Sequence, residues 1–178
     1  MVDIIEISAM ITAAGVLVGV VYYILDIRHS RKAREMEISR VAFSDYISEQ
    51  ALKRWATMLS MQWKDNKDFM EKYNYQSNPE MFGIWTSWFL AWEMMGILVK
   101  GKVVRAEEMQ DLGGFSAIFA WDKFKDIIQG LRGFSWGQDS LSNAEFFAQE
   151  MLKIKMKNDA GFRDKLEAWR STQVSESE

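Results

Sequence analysis

The sequence predicts an all-α chain, built as an N-terminal transmembrane helix followed by a cytoplasmic helical bundle. Three observations predict it. Proline occurs once in 178 residues, at Pro79, and 11 glycines are few for the turns of a β-rich chain of this length. Ile7 to Leu25 is a run of 19 residues without Asp, Glu, Lys, Arg or His. After it, start and stop signals for helices recur at helical lengths.

Composition narrows the functional classes. Hydrophobic residues at 48% and charged residues at 26% are too apolar a mixture for a disordered chain. There is no Cys, hence no disulfide, thiolate metal site or cysteine nucleophile. A single His, His29, excludes the usual histidine zinc sites and disfavours a histidine-dependent triad. A formal charge of -3 disfavours a general nucleic-acid binder, and neither a cofactor nor a nucleic-acid partner is expected.

The first element is the anchor, over residues 1–34. A helix over Ile7–Leu25 would span roughly 28 Å at about 1.5 Å per residue, close to the hydrocarbon thickness of a bilayer. A cleaved secretory signal would need a basic leading region and a cleavage site, whereas Asp3 and Glu6 precede the run and an Arg cluster follows it. Arg28, Arg31, Lys32 and Arg34 form a basic membrane-interface segment. By the positive-inside rule they put the N-terminus outside the cell membrane and the C-terminal domain in the cytoplasm, a single pass. The same cations can attract anionic lipid. Ser8, Thr12, Gly15 and Gly19 share one side, and Gly15 and Gly19 have the spacing that lets two membrane helices pack closely.

The second element is a helical domain over residues 35–170. No Gly or Pro falls between Gly19 and Pro79, so the first helix can continue far past the membrane. Met36 to Trp63 is broadly helical in its apolar spacing, but a strict heptad would put Arg31 and Asp45 at core positions, which argues against a long coiled coil. Asp65–Tyr73 reads as a short helix or turn. Asn78-Pro79-Glu80 starts a helix that runs to Lys100 and ends at Gly101. Met81–Val99 within it could be a second span. Its central Trp85, Thr86, Ser87 and Trp88, and a charge at Glu93, favour a buried core helix instead. Arg105–Leu112 is helical up to Gly113-Gly114, and Ser116–Leu131 gives a further helix ending near Gly133. Ser142 with Glu145 has the pattern of a capping box before the next helix. Gly161–Arg170 is the last helix, and residues 171–178 read as a flexible tail.

Few side chains invite chemistry. Glu107, Glu108 and Asp111 read as a solvated acidic face, and Trp85, Trp88 and Trp92 as core. Glu93 is a carboxylate in an apolar helix and must be paired or hydrogen-bonded. The expected partner is Arg132, as a buried ion pair, with Arg105 the alternative.

The run Trp92-Glu93-Met94-Met95-Gly96-Ile97-Leu98-Val99-Lys100-Gly101-Lys102-Val103, with Trp121, Ile127-Ile128 and Arg132, resembles an uncharacterised prokaryotic family of membrane-anchored helical proteins, a domain of unknown function. Trp63, Asp68 and Phe69 resemble its upstream segment, and the likeness covers roughly Ala51 to Lys155. It runs through Glu93, Gly96, Trp121 and Arg132 and implies an all-helical domain behind one anchor. The Trp-rich start of the central helix departs from the family pattern. The resemblance implies no activity. The expected role is a non-enzymatic, membrane-tethered interaction or scaffold module, contacting membrane lipid and a protein partner or a second copy of itself. An accessory or regulatory subunit of a transporter or channel complex is the alternative.

Overall fold

The computed structural model describes residues 3–44 and 48–175. The described residues form helices and connecting turns, without a strand. Eight α-helices follow in order: α1 (Ile4–Ser44), α2 (Glu49–Ser60), α3 (Asn66–Tyr73), α4 (Pro79–Lys100), α5 (Ala106–Met109), α6 (Ser116–Leu131), α7 (Ser142–Asn158) and α8 (Phe162–Ser175). The chain divides into two compact units, Met1–Val41 and Ala42–Glu178.

The first unit is most of α1, a single helix of 41 residues including its last turn. Its stretch Thr12–Ile38 is long and apolar enough to cross a membrane, and its most apolar window contains no buried residue. Val16, Leu17, Val18 and Tyr22 are all more than half exposed. Apolar side chains exposed to this degree carry an unfavourable free energy in water.

In the second unit α2, α3 and α4 each begin on a side chain suited to the task. Ser48 accepts the N–H of Ala51 at 3.1 Å and opens α2, so the uninterrupted helix allowed by the absence of Gly and Pro divides before Trp63. Asp65 accepts from Asp68 N at 2.9 Å and opens α3. Asn78 accepts from Met81 N at 3.2 Å, with Pro79 as the first residue of α4 and Gly101 at its end, as expected. α8 extends past the expected end at Arg170. Ser171 and Thr172 donate their hydroxyls to Ala168 O and Trp169 O, 2.7 Å each, and no breaker intervenes. The expected tail is therefore helical to Ser175; residues 176–178 lie outside the described residues.

α4 is the centre of the bundle. Its longest contact is with α7, and α2 and α3 also pack on it; α6 packs on α7 and α3. Trp85 stacks on Trp136 with ring centroids 5.5 Å apart and donates its indole N–H to Tyr73 O at 3.2 Å. Trp88 and Trp92 meet Trp55 edge-on. Phe69, Phe89, Phe124 and Phe147 are essentially removed from solvent, each worth about 1.5–3 kcal/mol of burial. The tryptophans of α4 are thus core residues. α4 also satisfies the length and apolarity of a membrane span, so two described helices do so.

Candidate functional site

The start of α7 gathers the polar side chains that the apolar bundle cannot leave unsatisfied. Leu141, just before the helix, is held at a left-handed φ of 58° although it is not glycine. No side chain of its own segment caps the helix. Glu93 of α4 does so instead. Its Oε2 accepts the backbone N–H of Ala144 at 2.7 Å, and its Oε1 accepts from the Asn143 side-chain amide at 2.7 Å. A helix N-terminus carries free N–H groups and partial positive charge, so a carboxylate there is stabilised without a cation. These are short, charge-assisted bonds.

Gly96, one turn further along α4, makes this approach possible. A Cβ on Gly96 would overlap the backbone carbonyl of Asn143. The missing side chain lets the first turn of α7 lie directly on α4, within reach of Glu93.

The expected Glu93–Arg132 ion pair does not form. Arg132 bonds instead to Glu145 on the first turn of α7, at 2.7 Å, and donates Nε–H to Ser140 O at 2.8 Å. Its guanidinium lies 5.7 Å from the Trp121 ring centre. One terminal nitrogen of Arg132 is buried without a hydrogen-bond partner. The alternative, Arg105, lies exposed beside Glu107 at 3.8 Å. The expected Ser142–Glu145 capping box is absent for the same reason. Glu145 is taken by Arg132, and Glu93 does the capping. Glu93, Gly96, Trp121 and Arg132 therefore meet around one feature, the beginning of α7.

Beside it lies a groove of about 460 Å³. α4 lines it with Phe82, Thr86, Phe89 and Glu93, and the segment before α7 with Trp136 and Ser140. Leu90 at its rim begins an exposed apolar stripe on α4. Leu90, Met94 and Ile97 are 61%, 54% and 49% exposed and fall at helical spacing. Phe134, in the wide turn between α6 and α7, is 93% exposed.

The other sequence candidates belong to other elements. Arg28, Arg31, Lys32 and Arg34 are exposed on α1, as is His29. Gly15 and Gly19 have open space where a Cβ would stand. Glu107 and Asp111 face solvent. Among the described residues no group of three or more His, Cys, Asp and Glu could hold a metal ion. Sequence reasoning missed Asn143, Trp136 and Leu141. The one available signal was an Asn in the first turn of the helix.

Elsewhere Asp122 joins α6 to α8 through Arg170, with bonds of 2.8 and 2.6 Å. Burial raises the Asp122 carboxyl, but the Arg170 hydrogen bonds and the nearby Lys125 outweigh it and hold the group below its ordinary value. The ammonium of Lys72, 2.7 Å away, likewise holds Asp68 low.

The model of a family described as a domain of unknown function, DUF4760, matches residues 9–153, most of the chain. The chain belongs to that family. No curated protein and no solved structure matches it.

Proposed function

We propose that the protein is a membrane-tethered interaction module, held by α1 in a single pass and presenting its helical bundle to a protein partner in the cytoplasm. One observation carries the reading: both the anchor and the bundle leave apolar helix faces uncovered. Val16 to Leu25 of α1 are exposed on every side of the helix, as a segment solvated by lipid would be. Leu90, Met94 and Ile97 form a narrow stripe on α4 with core packing behind it, the form of a helix face that receives another helix. The basic residues Arg28, Arg31, Lys32 and Arg34 after the span support an external N-terminus and contact with anionic headgroups. Glu93, bonded to α7 from within α4, supports a single pass. Crossing the bilayer with α4 would cost about 2.5–3.5 kcal/mol for this charge and would abandon its two hydrogen bonds.

The test uses the absence of cysteine. Single cysteines at Leu90, Met94 and Ile97 are crosslinked in native membranes, with one at Glu107 as control. Stripe positions are expected to capture a defined protein adduct and the control none. Reporter fusions after Ser175 are expected to be active only in the cytoplasmic form. Equal adducts from stripe and control, or a periplasmic or extracellular reporter signal, would overturn the reading.

A second reading, an accessory subunit of a transporter or channel complex, is favoured by the open small-residue face at Gly15 and Gly19. Gly15→Leu or Gly19→Leu should then release the protein from a stoichiometric membrane complex, because the larger side chain separates the backbones. Unchanged co-purification for both variants counts against it.

A further inference from the structure

The groove beside α7 is chemically one-sided. Its walls are aromatic and aliphatic, with Phe82, Phe89 and Trp136 supplying ring faces. Three lining residues bring side-chain oxygen, and each has only acceptor capacity to spare. The Thr86 hydroxyl donates its hydrogen to Phe82 O at 2.6 Å. The Ser140 hydroxyl donates its hydrogen to Trp136 O. Glu93 accepts on both oxygens from Asn143 and Ala144, and a carboxylate has further lone pairs beyond these two. No Lys or Arg lines the groove. Its volume is that of a small-molecule site.

We infer that this groove binds an apolar molecule carrying a single primary ammonium group. An ammonium has three donors and no acceptor, which complements the three side-chain oxygens of the lining; the Trp136 indole is the one other polar group there. It is attracted both to the carboxylate and to aromatic faces. A hydroxyl ligand would bring no charge to the carboxylate or to the ring faces, and a carboxylate ligand would be repelled by Glu93. The site goes beyond the proposed tethering role and does not depend on it, since all of its residues lie in the second unit.

The test is calorimetric. The full chain in nanodiscs of zwitterionic lipid is titrated with phenylbutylamine, and in parallel with phenylbutanol and phenylbutyrate; empty nanodiscs correct for partition into lipid. The amine is expected to saturate one site per chain, the alcohol to bind at least about tenfold more weakly, and the acid not at all. Glu93→Gln should weaken amine binding by about tenfold or more, and Thr86→Val by roughly threefold, since Thr86 bonds only within its own helix and its loss spares the fold. Circular dichroism checks that Glu93→Gln is folded. Overturning results are no saturable amine heat above the lipid baseline, equal affinity for all three probes, or unchanged amine affinity in folded Glu93→Gln. Should Glu93→Gln not fold, unchanged affinity in Thr86→Val overturns the proposal by itself.

Discussion

Replacing Glu93 by Leu tests how the bundle is held together. The substitution removes the acceptor of two bonds, each 2.7 Å long. Ala144 is 2% exposed, so its N–H has no route to water once abandoned. The Asn143 amide is only half-buried and can turn toward solvent. An unsatisfied buried donor costs about 1–3 kcal/mol, so Ala144 falls near the top of that range and Asn143 near the bottom, together about 3–4 kcal/mol. For a chain of this size that is a fall in Tm of roughly 6–16 °C. Glu93→Gln keeps an oxygen for Ala144 and loses mainly the charge against the helix N-terminus, about 1 kcal/mol. The assay is thermal unfolding of the full chain in detergent, followed by near-ultraviolet circular dichroism of its tryptophans. Double-mutant cycles then locate the partner. Coupling of Glu93 to Asn143 should exceed its coupling to Arg132, because only the first pair is bonded. A Glu93→Leu protein melting within about 2 °C of the parent would refute the capping role. So would a larger coupling to Arg132.

Three further outcomes follow from the same geometry. Arg132 is 12% exposed and Glu145 29%, so removing Glu145 strands the more buried charge. Glu145→Ala should cost about 2–3 kcal/mol and Arg132→Met less, with the double mutant recovering part of the loss; equal single losses that simply add would contradict the pairing. Gly96→Ala should destabilise by more than about 2 kcal/mol in chemical denaturation, since the overlap is with backbone and cannot be relieved by a rotamer change. Asp122 is held below its ordinary value in the fold, so its contribution is complete above the unfolded pKa of about 3.9 and disappears as pH falls through the lower folded value. The Tm difference between the parent and Asp122→Asn should therefore be full at neutral pH and shrink in strong acid. With Arg170 half exposed its neutral value is about 1 kcal/mol, and a difference that stays constant down to pH of about 2 would rule the linkage out.

Those elements whose boundaries are set by local chemistry were legible in the sequence. Asn78-Pro79 and Gly101 delimit α4, and the glycines at 113 and 114 precede α6, because caps and breakers act within a few residues. The break between α1 and α2 was not legible. It carries neither Gly nor Pro, and its capping serine, Ser48, is one polar residue among several. The candidate site divides in the same way. That Glu93 required a partner followed from its surroundings in the sequence alone. Which partner did not follow, because Asn143 and Ala144 lie 50 and 51 residues away and the contact depends on where α7 is laid. Local pattern also misassigned Glu145. Three residues after Ser142 it has the spacing of a capping box, but a buried guanidinium competes for it more strongly than a backbone N–H that Glu93 relieves of the need.

Two helices of this chain pass the same test of length and apolarity, and their surroundings separate them. α4 carries Glu93 and buries Trp85, Trp88 and Trp92 against other helices, so its apolar residues already have a place away from water. Its carboxylate has two donors waiting at the start of α7. In hydrocarbon it would have neither. α1 has no Asp, Glu, Lys, Arg or His across Ile7–Leu25, and its most apolar window among the described residues holds no buried residue. At about 25 cal/mol per Å² of apolar surface, a helix so exposed is costly in water. The same composition therefore has two outcomes, decided by whether the rest of the chain supplies a place to pack and a donor for the one charge. The proposed single pass rests on that difference, and Glu93 is the residue that makes it.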